Sequence, residues 1–536
     1  MREPVSHAPS GATPSLRRIT SLTLLPKLAS LVTVVVSSTL LMSCAGAPSS
    51  TGVRKVVAVP AGQMPPPAPK PMAKAPEPEP EPEPAWPESF ADAAQKITAA
   101  TVDNTRAWDR LAYMVDMFGP RLSGSKALEQ AIDWTLETMR QDGLENVRRE
   151  KVMVPHWVRG RESAMVTAPV ERELVVLGLG GTVGTGRRGV KGEVVAFESL
   201  EALQKAGEAN PKVAEDKIVV INQKMPDFDP HNPTDPTGYG KTVVIRSSGA
   251  STAAKFGAKA VLIRSVTAHS LRTPHTGALR YEDGVKKIPA AAVTPADAEF
   301  LVRMAQRGPT TVQLKLDAKT LADAESANAI AEIKGREKPE EVVVIGGHID
   351  SWDVGDGATD DGSGCLMAME AAKILMETGL RPRRTIRVVL FTNEENGLRG
   401  GKAYAEAHAK EVHAGAIEAD IGAGAPMGIS MAADDATVAA LAKYAPLFEG
   451  LGAAQITQGW GGADISPLMA TGVLGLGMRP DVSHYFDLHH SPADTVEKID
   501  PAYLQRNAGA MALMAWILAE REEIAQVEVT KQGADH

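Results

Sequence analysis

From about residue 327 to the C-terminus the chain alternates short apolar runs with longer helical stretches, and this alternation restricts the fold more than any other feature. EVVVIGG (341–347) is a run of β-branched residues with no polar face, which predicts a strand buried on both sides. GSGCLMAMEAAKILMETG then reads as an amphipathic helix stopped by Gly379, TIRVVLFTNEE as a second buried strand and GLRGGKAYAEAHAKE as a second helix. AGAIEAD and GVLGLGM read as further strands, and a long helix is expected over about 502–523. Strands and helices in this order cover both faces of a sheet, so the fold class is α/β, a layered sheet between helices. Ligand sites in such sheets gather just past the carboxyl ends of the strands.

The earlier sequence has a different texture. A helical pattern, ALEQAIDWTLETMRQDGL, covers 127–144, and folded sequence begins near Phe90. Between 162 and 325, short strand-like runs such as ELVVLGLGG (173–181), KGEVVAF (191–197) and KIVVINQ (217–223) are broken by Gly/Pro turns, with alanine-rich helical stretches such as STAAKFGAKAVLI between them. This stretch reads as a compact mixed domain inserted into a larger one, whose first part is 90–161 and main part 326–525. GLGGTVGTG superficially matches a dinucleotide fingerprint, but no helix followed by an acidic residue is in place, so it reads as a tight turn.

The N-terminus predicts export. Arg17, Arg18 and Lys27 precede the apolar run LASLVTVVVSSTLLM (28–42), which is short for a membrane span and has the charge order of a secretory signal. It ends in Leu41-Met42-Ser43-Cys44, similar to the lipobox of bacterial lipoproteins, so 1–44 is expected to be a lipoprotein signal with Cys44 lipidated. Residues 45–89, with QMPPPAPKPMAKAPEPEPEPEPAWPES, cannot form a core and read as an extended tether, and 526–536 as a tail. The expected location is therefore the cell envelope, periplasmic or at the outer membrane. A net charge of -9 lacks the basic footprint of a nucleic-acid binder. Two cysteines, Cys44 and Cys365, exclude a disulfide framework, and Cys365 reads as a core residue.

Five segments carry candidate metal ligands, most of them at strand ends: His348 and Asp350; Asp360 and Asp361; Glu394 and Glu395; Asp420; and His489 with His490. Charges in so apolar a context are costly unless paired or coordinated. Imidazole mixed with carboxylate, without thiolate, suits zinc. Two histidines and several carboxylates exceed what one zinc needs, and a carboxylate can bridge two ions through its two oxygens. His408 and His413 read as solvated positions on or after an exposed helix, and His484 as structural.

GGHIDSWDVGDGATDDGSG, FTNEENGLRGG, IEAD and LHHSPADT resemble the dinuclear-zinc exopeptidase family, and the likeness runs from about residue 95 onward. The resemblance implies a three-layer mixed-sheet zinc-peptidase domain with an inserted, β-rich mixed protease-associated domain. It implies two zinc ions: Asp360 bridging, His348 and Asp420 completing one ion, Glu395 and His490 the other. Glu394 would be the general base of a metal-activated water, and Asp350 would orient the His348 imidazole. The family commonly has a cis peptide where Asp361 follows Asp360. His489 stands where relatives place a tyrosine that helps bind the oxyanion, and Asp464 is a candidate contact for a substrate amine, against a turn-capping role. The expected reaction is hydrolysis of terminal peptide bonds in short peptides, with a dipeptidase or carboxypeptidase preference. An aminopeptidase, a non-catalytic binding relative and a one-metal glutaminyl cyclase are the alternatives. Expected partners are short peptides, a membrane through the lipid anchor and, as the one oligomeric expectation, a homodimer; nucleic acid is not among them.

Overall fold

Strand Lys338–His348 turns Val342 and Val344 to one side and Val343 and Ile345 to the other, and all four are buried. A strand with two apolar faces has to lie inside a sheet covered twice, and in the computed structural model it does. The structure describes residues 88–525 except Pro230, together with Trp86 and Val527. The expected leader over 1–44 with Cys44, the tether up to residue 85 and the tail apart from Val527 lie outside the described residues. Glu88 and Ser89, expected at the end of the tether, already belong to helix Glu88–Thr101.

The first sheet has eight strands in the order Glu145–Val154, Ala324–Ile333, Arg384–Phe391, Lys338–His348, Val412–Glu418, Gly475–Pro480, Pro426–Met431 and Gln455–Gln458. Arg384–Phe391, Lys338–His348, Val412–Glu418 and Gly475–Pro480 pair in parallel, while Glu145–Val154, Ala324–Ile333 and Pro426–Met431 join through antiparallel ladders. One face buries Val343, Ile345, Ile386 and Val388 under helices Ser363–Glu377 and Pro501–Glu520. The other buries Val342, Val344, Val389 and Phe391 with Tyr404, Ile465 and Leu468. Each such side chain contributes about 1.5–3 kcal/mol on burial. Ser363–Glu377, expected to be amphipathic, is buried almost all round because helices flank it opposite the sheet. Gly379 ends it at φ 68°. Asp500 starts Pro501–Glu520 by accepting the Ala502 and Tyr503 N–H groups, with proline at the first turn.

The chain leaves this sheet after Val154 and returns at Ala324, whose Cα positions are partners in one antiparallel ladder. The residues between build a second eight-stranded sheet, ordered Arg172–Leu174, Glu162–Ala168, Thr311–Leu316, Val190–Phe197, Ile218–Ile221, Ala260–Arg264, Ala290–Val293 and Val176–Gly178. Two local expectations need correction. ELVVLGLGG does not form one strand: its halves, Arg172–Leu174 and Val176–Gly178, lie at opposite edges of the second sheet. STAAKFGAKAVLI is not one helix: helix Val244–Lys255 stops before Gly257, at φ 87°, and AVLI enters the fully buried strand Ala260–Arg264.

His408 and His413 are also corrected, since both are buried. The helix Arg399–Ala407 covers the sheet face, so His408 points inward, with Nε2 3.0 Å from Glu150 and Nδ1 2.9 Å from Glu411. His413 packs on Tyr404. His484, expected to be structural, is exposed, and its nearest acid is Asp487 at 4.0 Å. Among the described residues no helix is long and apolar enough to cross a membrane.

Candidate metal centre

The parallel strands end side by side, and their last residues supply the site. His348 closes Lys338–His348, Glu394 and Glu395 follow Arg384–Phe391, and Asp420 follows Val412–Glu418. Asp360 and Asp361 precede helix Ser363–Glu377 and are joined by a cis peptide bond. The two aspartates diverge. Asp361 turns back and accepts the N–H groups of His348 and Gly364, both at 3.0 Å. Asp360 faces the strand ends. The close approach works because residues 347 and 364 are glycine: a Cβ on Gly347 would lie 2.3 Å from Asp361 Oδ2, and one on Gly364 2.0 Å from the Ala419 carbonyl.

Two clusters share Asp360. In one, His348 Nε2 lies 3.2 Å from Asp360 Oδ1 and 3.1 Å from Asp420 Oδ1. In the other, His490 Nε2 lies 3.1 Å from Asp360 Oδ2 and 3.0 Å from Glu395 Oε2. Each Asp360 oxygen thus serves a different histidine. Asp360 Oδ2 and Glu395 Oε1 are buried and make no hydrogen bond. Burial pushes Glu394 well above its usual range and Glu395 up to about 7, where His490 opposes the rise and Asp360 adds to it. Carboxylates packed this densely call for positive charge, and imidazole with carboxylate and no thiolate is a donor set that zinc fits.

Asp350 meets His348 differently from the expectation. The His348 Nδ1–H donates to the Asp350 backbone carbonyl at 2.9 Å, while the Asp350 carboxylate accepts the Glu394 N–H at 3.0 Å and the Ser123 hydroxyl at 3.3 Å. The side chain is drawn to Glu394 because the strand end there exposes an unpaired N–H. Asp350 therefore orients the ligand with its main chain and Glu394 with its side chain. Asp464 is buried and caps nothing: neither carboxylate oxygen has a partner. The neighbouring N–H groups of Ala463, Asp464 and Ile465 go instead to Glu418, which burial next to Asp420 pushes up to about 8. His489 stacks on His490 with ring centroids 4.2 Å apart, and both of its nitrogens are unpaired.

Several contributors escaped the sequence reading. Asp494, inside the SPADT segment, accepts the N–H groups of Thr359 and Asp360 at 2.6 and 3.1 Å and so fixes the loop that presents Asp360. The fully buried Arg121 donates to the carbonyls of Ile349, Asp356 and Gly357. A lone arginine in GPRLSG gives no signal, whereas the acid after SPA could have been noticed. From the second sheet's side of the molecule, Arg246 Nη1 donates to His490 Nδ1 at 3.0 Å, His275 donates to the His489 carbonyl at 2.9 Å and the Thr276 N–H donates to the His490 carbonyl at 2.9 Å. Arginine can only donate, so His490 Nδ1 accepts and its ring proton sits on Nε2, where an ion would replace it.

Comparison with known proteins places this geometry among peptidases. Residues 328–515 match the model of "Peptidase family M28". Carboxypeptidase Q of Mus musculus is 42% identical over 422 residues, covering 78% of this chain and 87% of that protein. Carboxypeptidase Q of Homo sapiens is 41% identical, covering 78% and 86%. The crystal structure of a peptidase M28 precursor from Shewanella amazonensis SB2B superposes with a TM-score of 0.78 at 37% identity, covering 82% of this chain and 99% of the other. A zinc aminopeptidase from Bacillus subtilis shares the fold with a TM-score of 0.56 at 20% identity, covering 79% and 97%.

Proposed function

The chain belongs to peptidase family M28, and on that footing we propose that it works through two zinc ions held by the paired clusters around Asp360. It is a zinc-dependent exopeptidase that hydrolyses terminal peptide bonds of short peptides, with a dipeptidase or carboxypeptidase preference that the likeness to carboxypeptidase Q supports. The observation that carries the two-ion reading is the division of the Asp360 oxygens between His348 and His490. His348, Asp420 and Asp360 would hold one ion, and Asp360, Glu395 and His490 the other. When bound, the ions would polarise the scissile carbonyl and make a water molecule acidic enough to attack near neutral pH.

The protein's own groups do the rest. Glu394, beside ligand Glu395 and fixed by the Asp350 carboxylate, takes the proton of the attacking water and delivers it to the leaving amine. A carboxyl group raised by burial is suited to both halves of that transfer. Asp361 and Asp494 hold the backbone on either side of Asp360, so the bridging carboxylate is positioned before substrate arrives.

Two further parts of this reading concern the rest of the chain. The second sheet is proposed to be a protease-associated domain, supported by its mixed pairing and its position between two partnered strands. Cys44 is proposed to carry a lipid that anchors the protein in the cell envelope, supported by the charge order and the apolar run before it.

The deciding measurement is metal content. Full-length protein stripped with a chelator and reloaded should take up two zinc ions per chain and regain activity with the second. A stoichiometry that stays at one in excess zinc would end the two-ion reading.

A further inference from the structure

Arg121 is fully buried, and among the described residues no carboxylate pairs with it. Its guanidinium is spent on main-chain carbonyls: Nε donates to Ile349 at 2.8 Å, Nη1 to Gly119 at 3.1 Å and Asp356 at 2.8 Å, and Nη2 to Gly357 at 2.8 Å. A buried guanidinium without an anion is costly, and an uncharged side chain could fill the same space. What other side chains lack is a rigid fork of N–H groups that reaches several acceptors at once. The acceptors show what the fork is for. Ile349 follows the ligand His348 and Gly357 precedes the ligand Asp360, so one planar group fastens both ends of the loop 349–357. The main chain of Arg121 adds to the hold, its N–H donating to the Ser351 hydroxyl at 3.0 Å and its carbonyl accepting the Ser351 N–H at 3.3 Å. Gly357 folds the loop back at φ 61°, where a Cβ would lie 2.4 Å from that of Ser351.

We propose that Arg121 is a positioning residue of the metal centre, which fixes the separation of the His348 and His490 clusters by holding the loop 349–357 in one shape. The proposal rests on the two-ion reading above and deepens it. Two ions that share one bridging carboxylate stand roughly 3.5–4 Å apart, and each ligand has to keep its distance to within about 0.2 Å. The loop meets both clusters. It begins at His348 and ends before Asp360, and its Asp350 carboxylate fixes Glu394. Trp352, 2% exposed, turns edge-on to the His490 ring with centroids 5.8 Å apart. The Asp356 N–H donates to the carbonyl of Asp494, whose side chain holds the Asp360 N–H. A shift at either end of the loop therefore moves one cluster against the other. The rival role is charge alone, since Asp494, Asp350 and Asp361 favour the guanidinium's charge from farther off. A lysine separates the two, because it keeps the charge and loses the fork.

The test is a cobalt(II) titration of full-length protein freed of metal. Cobalt takes the place of zinc, and its visible absorption bands follow the geometry of its ligands. Wild type should take up two ions per chain. In Arg121→Met the second ion should bind about 10–100-fold more weakly, the range for losing a partner behind a metal ligand, and the bands of the two-cobalt form should shift. Arg121→Lys should behave like Arg121→Met, because an ammonium cannot hold both ends of the loop. Ser351→Ala removes a single bond to the same loop, so it should shift the bands in the same direction by less. Should the Arg121 variants not fold, wild-type bands in Ser351→Ala overturn the proposal on their own. Arg121 variants with a lower urea midpoint but wild-type bands and affinity also overturn it, because Arg121 would then only stabilise the fold. Wild-type bands restored by Arg121→Lys overturn it too, since charge rather than shape would be at work. A wild type that binds one cobalt even in excess overturns the two-ion reading itself.

Discussion

Glu394 and Glu395 are consecutive, yet only Glu395 touches a histidine of the paired clusters, and Glu394 is the more accessible of the two. Their variants should separate the two jobs. Glu394→Gln keeps the shape but cannot take a proton, so zinc should stay bound while kcat falls by about 10²–10⁴. Glu395→Gln weakens a ligand, so zinc content and activity should fall together and recover in part with added zinc. Metal analysis beside initial rates decides it. Rescue of Glu394→Gln by zinc, with Glu395→Gln metal-replete and inert, would reverse the assignment. Side-chain roles at this scale were only half legible in the chain. His348, Glu395 and Asp420 stood out because each ends or follows an apolar strand. Asp350 did not reveal that its carbonyl and carboxylate serve different neighbours, since that division follows from where the Glu394 N–H points.

The helix Ser363–Glu377 and the strands beside it set the spacing of the site. Gly364 brings the first turn of that helix against the Ala419 carbonyl. Gly364→Ala should force the helix outward, cost about 1–3 kcal/mol in a urea titration and weaken zinc binding in parallel. A midpoint equal to wild type would mean that the helix gives way freely. Another element carries a pH signal. Burial alone would lower His408, but Glu150 and Glu411 outweigh it and hold the imidazole above its usual range, with the Arg387 guanidinium nearby. A raised folded pKa gives stability that is fully present below the unfolded value of about 6.5 and is lost as pH rises through the folded value. His408→Gln should therefore cost most near pH 6, about 1–2 kcal/mol, and progressively less as pH rises through the raised folded value. Urea midpoints of both proteins at pH 6 and pH 9 measure this, and a gap that does not change with pH would contradict it. His408 was misjudged from sequence because the alternating Lys, Glu and Ala around it read as a solvated face, while the covering contacts come from Glu150 on a distant strand.

At the scale of the whole molecule, the parallel strands and their helices were readable because their apolar runs are continuous. The second sheet was harder, since Ala-rich strands such as Ala290–Val293 look like helix by composition. Hardest were the residues joining the two sheets. Arg246 and His490 are 244 positions apart, and nothing in either stretch announces the other. The anchoring proposal also belongs at this scale. In a host that processes lipoproteins, Cys44→Ser should move the protein from the membrane fraction to the soluble fraction, as immunoblotting of the two would show. A variant that stays with the membrane would mean that an uncleaved helix does the anchoring.

The ladder between Glu145–Val154 and Ala324–Ile333 has a consequence for ancestry. Val154 and Ala324 face each other across it, so the chain returns to the point it left. A short turn could join those two residues and close the ladder, which means the stretch between them can enter or leave a gene in one event without rethreading the peptidase sheet. Such an event would leave the metal ligands intact, because all of them lie after Ala324. It would remove Arg246 and His275 in the same stroke. A descendant without the stretch would keep the strand-end ligands but would have to brace His489 and His490 by other means.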